Sequence, residues 1–316
     1  MRQDYKTCSP DSEAFIVRSP APTLVSDEGR SIMKILVIGA SGKTGRPVVE
    51  ALAERGVEVR AALRTPAPDG VRFDWADPGT WQEALRGVDA LYVVGPYMHP
   101  DRPGLVGDLL AAAPHARRVV LLSVLGVELL PDTIPMARWE ADVRASGKEW
   151  TTLRPNWFQQ NFGEGFAASP LRDLGVLALP AADAPVGFVD TRDIAEVAAA
   201  ALTEDGHAGQ VHVVTGPEAL THSQAVRILG EAAGRELRYA ALDPDEHVTG
   251  MRAAGLDERS VAWQRGLFQL IRDGRNAVVT DTVERVTGHP ARPLEAYARE
   301  QAPVWRRPPL PPAPRP

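Results

Sequence analysis

Apolar positions fall into two alternating textures along this chain. Short β-branched runs stand at 34–39, 57–63, 71–73, 90–94, 118–123, 149–154 and 211–215. Between them lie stretches of helical spacing with readable ends. Gly45 to Arg55 stops at Gly56, a residue that tolerates the left-handed turn ending a helix. Thr80 with Glu83 reads as a capping box ahead of Ala84 and Leu85. Pro135 opens a helix that Gly147 closes, and Thr191 reads as the cap of an alanine-rich stretch running to Leu202. Strand–helix alternation of this kind predicts an α/β fold, a doubly wound parallel sheet with helices on both faces.

After Thr215 the texture changes. Thr221 with Gln224 forms a second capping box, Asp243 and Asp257 read as further N-caps, and the chain to Tyr297 reads almost wholly helical. The expected organisation is a sheet core over 33–215, with 156–182 contributing to a smaller lobe that continues through 216–305. Residues 1–32 read as a leader without a fold, and the proline-rich 306–316 as an extended, solvated tail, a Pro-x-x-Pro partner ligand being the alternative.

Composition narrows the function. A chain of 316 residues with 44% hydrophobic and 24% charged residues is ordinary globular material. Net charge −6 offers no basic footprint for nucleic acid. No run free of Asp, Glu, Lys and Arg exceeds 12 residues, too short for a helix to cross a bilayer. The single cysteine, Cys8, excludes a disulfide framework, and the seven histidines show no His-Glu-x-x-His spacing, so no metal is expected. The expected partner is a small molecule, with no nucleic acid or membrane, in the cytoplasm.

The strongest chemical signal is Gly39-Ala40-Ser41-Gly42-Lys43-Thr44-Gly45, which follows a strand and opens a helix. Glycines there let backbone N–H groups approach a pyrophosphate at the helix N-terminus, where the dipole favours anions. A Walker A loop would need glycine where Val37 stands, and a nucleophile elbow at Ser41 would need glycine where Lys43 stands. The second strand ends in Arg64 with no acidic residue after it, which favours the 2′-phosphate of NADP over the free ribose of NAD.

The Gly-x-x-Gly-x-x-Gly pattern is joined by Phe73-Asp74-Trp75-Ala76-Asp77-Pro78, Leu153-Arg154-Pro155-Asn156-Trp157-Phe158, Phe188 to Ala195, and Val214 to Leu220. Together these resemble the NmrA-like branch of atypical short-chain dehydrogenases, and within it the bacterial group similar to ergot-alkaloid (agroclavine and festuclavine) dehydrogenases. The resemblance runs from Met33 to Trp305. It implies a Rossmann-type fold and roles for matching positions. Gly39, Ser41, Gly42, Lys43, Thr44 and Gly45 would cradle the pyrophosphate, with Arg64 on the adenosine phosphate and Asp74 and Trp75 at the adenine. Gly95, Pro96 and Tyr97 would lie beside ribose and nicotinamide, and Ser123 where such enzymes place an active-site serine. Asn156, Phe158, Asn161 and Phe162 would line the substrate side, with Met136 and Glu140 on the preceding helix. Asp190, Arg192 and Asp193 read as joining loop to helix, not as substrate contacts.

The family's Tyr-x-x-x-Lys pair is missing, since Met136 and Glu140 stand where it would fall. Only four lysines (Lys6, Lys34, Lys43, Lys148) and five tyrosines exist, and of the tyrosines only Tyr97 falls near the nicotinamide side. Ser123 and Tyr97 are therefore the remaining catalytic candidates. A ketone becoming an alkoxide needs an acid. An iminium ion or a quinone does not, because the first is neutralised by hydride and the second yields a stabilised phenolate. The expected activity is thus reduction by NAD(P)H of a small activated substrate, of the kind met in secondary metabolism. The alternative is an NmrA-type redox sensor that binds dinucleotide without turnover. Glu140 facing the pocket would attract a cationic substrate; a solvent-facing or salt-bridged helix glutamate is the other reading, and the preferred one.

Overall fold

The structure, a computed structural model, describes residues 32–65, 70–97, 99, 102–130 and 134–306. The expected leader, apart from Ile32, and the tail beyond Arg306 lie outside the described residues.

Seven strands build one parallel sheet: β1 (Lys34–Ile38), β2 (Glu58–Leu63), β3 (Gly70–Arg72), β4 (Ala90–Val94), β5 (Arg118–Leu122), β6 (Glu149–Pro155) and, after β7 (Val176–Leu179), β8 (Gln210–Val214). Their order is β3-β2-β1-β4-β5-β6-β8. Side chains on a strand alternate between faces. In β1, Leu36 and Ile38 therefore join Leu91, Val93 and Leu121 on one face, while Ile35 and Val37 join Tyr92 and Val120 on the other. Both faces are apolar, so both must be covered, which is why these strands read as continuous hydrophobic runs.

On the first face lie α3 (Leu105–Ala112) and α4 (Pro135–Ala145), burying Leu105, Leu109, Trp139 and Val143. On the second lie α1 (Gly45–Glu54) and α5 (Thr191–Thr203), burying Val48, Leu52, Ile194 and Ala198. The one-turn α2 (Trp81–Ala84) follows β3. A separate core gathers Phe162, Leu177 and Phe188 with α6 (His222–Ala233) and α10 (Leu294–Trp305). To it α8 (Glu258–Arg272) adds Phe268 and Ile271, while sharing a small cluster of Val248, Met251 and Val261 with α7 (Pro244–Ala253); the short α9 (Thr282–Thr287) stands outside it.

The capping box at Thr221 and Gln224 forms, as do the Asp243 and Asp257 caps. Three expectations are corrected. At Thr80 the side chain does not cap α2; it donates to the Asp77 carbonyl at 2.7 Å and accepts from the Asp74 amide at 3.0 Å, while Asp77 caps a preceding 3₁₀ turn. Asp190, not Thr191, caps α5, its carboxylate accepting from the Arg192 amide at 2.8 Å. The stretch after Thr221 is not wholly helical, because β9 (Arg238–Ala241) pairs in parallel with β7 as a second, two-stranded sheet.

Candidate functional site

The glycine loop, Arg64, Asp74 and Trp75, Gly95 to Tyr97, Ser123 and Asn156 to Asn161 all follow the carboxyl ends of parallel strands. The sheet order reverses between β1 and β4, and in open α/β sheets ligands bind in the crevice that this reversal opens. A cavity of about 900 Å³ occupies it.

Its first half is backbone. Gly39 adopts φ +79°, and the Gly42 amide donates to its carbonyl at 2.8 Å, closing a tight turn. A Cβ on Gly45 would overlap the Gly39 carbonyl, so helix and turn can approach this closely only through glycine. No side chain caps α1. Its N-terminus is thus open to an anion, and the loop fits a dinucleotide pyrophosphate. Gly39, Ser41, Gly42, Lys43 and Thr44 line the cavity; Gly45 does not, serving as the close-packed hinge behind them. Arg64 follows β2, and Asp74 and Trp75 follow β3, at the same end. Trp75 is held by Phe73 and Trp81, with ring centroids 5.2 Å and 6.0 Å away.

The second half is made of side chains. Gly95, Pro96 and Tyr97 follow β4, and the Tyr97 ring stands edge-on to Trp139 at 5.0 Å. Gly95 is required there because a Cβ would run into the Trp139 indole. Ser123 follows β5, and Met136 reaches the cavity from α4. Asn156, Phe158 and Asn161 line it after β6. Lys43 donates from Nζ to Asn161 Oδ1 at 3.0 Å, tying the glycine loop to this side. Burial holds its ammonium pKa below the usual lysine range, against the opposing pull of Glu164. Asn156 is a staple: its Oδ1 accepts from the Trp157 amide at 2.9 Å and from Asn276 Nδ2 at 3.0 Å, and its Nδ2 donates to the Asn276 carbonyl at 2.8 Å.

Two expected substrate residues do not line the cavity. Phe162 turns into the second core, 5.2 Å from Phe188, and its carbonyl accepts from Trp305 Nε1 at 2.8 Å. Glu140 is buried beneath Ser123, which rules out its attracting a cationic substrate. Its carboxylate accepts from Ser123 Oγ at 2.6 Å, Arg144 Nη2 at 2.6 Å, and Arg154 Nε and Nη2 at 2.9 and 2.7 Å. Burial alone would raise its pKa, but these hydrogen bonds prevail and hold it below the usual carboxylate range. Asp190, Arg192 and Asp193 join loop to helix as read from the sequence. Asp190 accepts from Gln160 Nε2 at 2.9 Å and pairs with Arg192, and Asp193 accepts from the Arg292 amide at 2.8 Å.

Sequence reasoning missed Thr65, His99, Asn276 and the far wall, which is Trp263, Leu267 and Leu270 of α8. Their i, i+4, i+7 spacing is one helix face, and that stripe is the signal that would have found them. Among the described residues no cluster of three or more His, Cys, Asp or Glu is placed to hold a metal, and no helix is long and apolar enough to cross a membrane.

Comparison with known proteins places this geometry. A family model described as NAD(P)H-binding matches residues 39–205. The NAD(P)H azoreductase of Xenophilus azovorans is 34% identical over 85% of this chain and 98% of its own. Agroclavine dehydrogenase of Claviceps fusiformis is 28% identical over 86% of this chain and 99% of its own. The crystal structure of NADPH-dependent quinone oxidoreductase from Escherichia coli shares the fold, with TM-score 0.73 at 23% identity over 85% of this chain and 99% of that one. With over half its length under that model and relatives matched nearly end to end, the chain belongs to the NAD(P)H-binding family.

Proposed function

We propose that this protein is an NADPH-dependent reductase that delivers hydride to a flat, activated organic acceptor without a tyrosine acid. The observation that carries the reading is the continuity of the cavity. One space of about 900 Å³ joins the glycine loop to a wall of Met136, Trp157, Phe158, Trp263, Leu267 and Leu270. A dinucleotide leaves part of such a volume for a small second molecule.

In this reading Gly39 and Ser41 to Thr44 hold the pyrophosphate against the open end of α1, and Asp74 and Trp75 border the adenine. Arg64, with Thr65 beside it, meets the 2′-phosphate, the basis for NADPH over NADH. Gly95, Pro96, Tyr97 and Ser123 flank the nicotinamide half. NADPH supplies the hydride, and the chain's residues orient the acceptor and exclude water. Met136 and Glu140 occupy the positions of the family's Tyr-x-x-x-Lys pair. The first is a thioether and the second is committed to Ser123, Arg144 and Arg154, so neither protonates an alkoxide. An acceptor that needs no strong acid follows: a quinone, an iminium ion or a similarly activated double bond. Within that class the lining favours a neutral molecule. Among the described lining residues Asp74, at the adenosine end, is the one carboxylate, and Lys43 lies nearer the substrate side. The azoreductase activity of a 34% identical relative supports an aromatic, conjugated acceptor.

The test is NADPH oxidation by purified protein against a quinone, an azo dye, a cyclic iminium salt, an enone and a ketone, with NADPH and NADH affinities measured separately. Turnover on the activated members but not the ketone is expected, with Arg64→Ala weakening NADPH and leaving NADH unchanged. Tight NADPH binding with no turnover on any member would transfer the assignment to the dinucleotide sensor.

A further inference from the structure

We propose that Ser123 faces its ligand as a hydrogen-bond acceptor, not as a proton donor, and that Glu140 behind it sets this polarity. The inference rests on the dinucleotide reading above and concerns the nicotinamide end of the same cavity.

A serine hydroxyl carries one proton and two acceptor sites, and it turns to suit its surroundings. Here the surroundings decide. Ser123 Oγ lies 2.6 Å from Glu140 Oε1, within the short range of an O–H bond to an ionised carboxylate. The carboxylate is ionised because two guanidinium groups grip it: Arg154 through Nε and Nη2 at 2.9 and 2.7 Å, and Arg144 through Nη2 at 2.6 Å. Arg154 is itself anchored, its Nη1 meeting Glu128 at 2.8 Å. An ionised carboxylate only accepts, so the proton on this contact must be the serine's. Turning it towards the cavity would break a charge-assisted bond to a carboxylate that is 1% exposed and so shut off from bulk solvent.

What remains for the cavity is lone pairs, the oxygen's two acceptor sites. Ser123 directly follows β5, whose Leu122 is paired with Val94 of β4, so it stands beside the Gly95–Tyr97 turn. A group placed there must bring its own N–H or O–H. A nicotinamide carboxamide offers such an N–H, and so does an acceptor bearing an amine or hydroxyl. A ketone oxygen offers only lone pairs and meets Ser123 unfavourably, which adds a second reason for ketones to fail. Glu140 touches neither cofactor nor substrate in this arrangement; it is a positioning residue acting through Ser123.

The test compares NADP⁺ with its acetylpyridine analogue, in which a methyl group replaces the carboxamide NH₂. Titration calorimetry on wild type, Ser123→Ala and Glu140→Gln gives the ratio of the two affinities, and thermal melts check folding. Wild type is expected to prefer NADP⁺ by roughly three- to tenfold, the worth of one neutral hydrogen bond. Ser123→Ala should bring the ratio to about one, and Glu140→Gln, by freeing the serine proton, should shrink it. Ser123→Ala, which removes one oxygen, carries the test alone if Glu140→Gln does not fold. If Ser123→Ala leaves the ratio intact but raises KM for a hydroxyl- or amine-bearing acceptor, and not for its methylated counterpart, the same polarity holds with the donor on the substrate. If neither quantity moves in Ser123→Ala the serine accepts nothing from the ligand, and if wild type reduces a ketone and Ser123→Ala abolishes it the serine donates; either result makes the inference wrong. Unchanged discrimination in folded Glu140→Gln would remove Glu140 from it. Wild type that binds neither dinucleotide would overturn the dinucleotide reading itself, a different failure.

Discussion

The two halves of the cavity are built by different means. The glycine-loop half is built on one continuous stretch, Gly39 to Gly45, whose geometry is set by backbone: a positive φ at Gly39, an amide-to-carbonyl turn, and a contact that excludes a Cβ at Gly45. The side-chain half draws on Met136 of α4, Asn156 to Asn161 after β6, Trp263 to Leu270 of α8 and the Asn276 loop, segments up to 140 residues apart. A site made of backbone is constrained in residue type, because only glycine fits. A site made of side chains tolerates any apolar residue of about the right shape. In the proposed reading the first half therefore serves one ligand class, whereas the second is free to change its substrate.

Removing the buried carboxylate beneath Ser123, in the side-chain half, should have the largest effect. Glu140→Ala leaves Arg154, whose side chain is 15% exposed, without its buried partner, and is expected to cost about 3 kcal/mol or more in a denaturant titration. The pH dependence has a definite sign. The Glu140 carboxyl is held below its ordinary value in the folded protein, so its contribution is complete above the unfolded pKa and is lost as pH falls through the folded one. The mutant should accordingly lose that part of the acid dependence.

Next comes the backbone half. Gly45→Ala forces the Gly39 carbonyl aside and is expected to weaken NADPH binding by about 100-fold, as misplacement of about an ångström does at other sites. The side-chain half should respond differently. Trp263→Ala is expected to raise KM for the acceptor about tenfold while NADPH affinity stays the same. Equal effects of these two substitutions on both ligands would erase the distinction between the halves.

The smallest effect lies away from the cavity. His289 is raised above the usual histidine pKa by the Pro290 carbonyl and by Glu196. Its stabilisation is present below the unfolded pKa and fades as pH rises through the folded value. His289→Ala should lower the melting temperature slightly at about pH 6 and leave it unaltered at about pH 9.

Particular residues show where legibility ended. Thr80 and Asp77 are both competent caps within one turn, and the Trp81 indole, donating to the Asp74 carbonyl at 2.9 Å, draws the chain into the arrangement where Asp77 wins. The strand Arg238–Ala241 is four residues long and exposed at both ends, so no alternation announces it; it exists because β7 lies alongside. Glu140 reads the same in sequence whether it faces a ligand or an ion pair. Arg144, one helical turn on, hints at the pair, but Arg154 arrives from β6 and closes it.

The sequence by itself determined the parallel sheet, its coverage on two faces and the glycine turn after β1. Continuous apolar strands, helix stops and glycines that admit no Cβ are local requirements, and each is visible where it acts. Tertiary structure alone decided which side of Ser123 carries the proton, that α8 walls the substrate space, and that Phe162 belongs to a core. These depend on side chains meeting across long separations in sequence, where burial and the nearest charge, not residue type, set what a group can do.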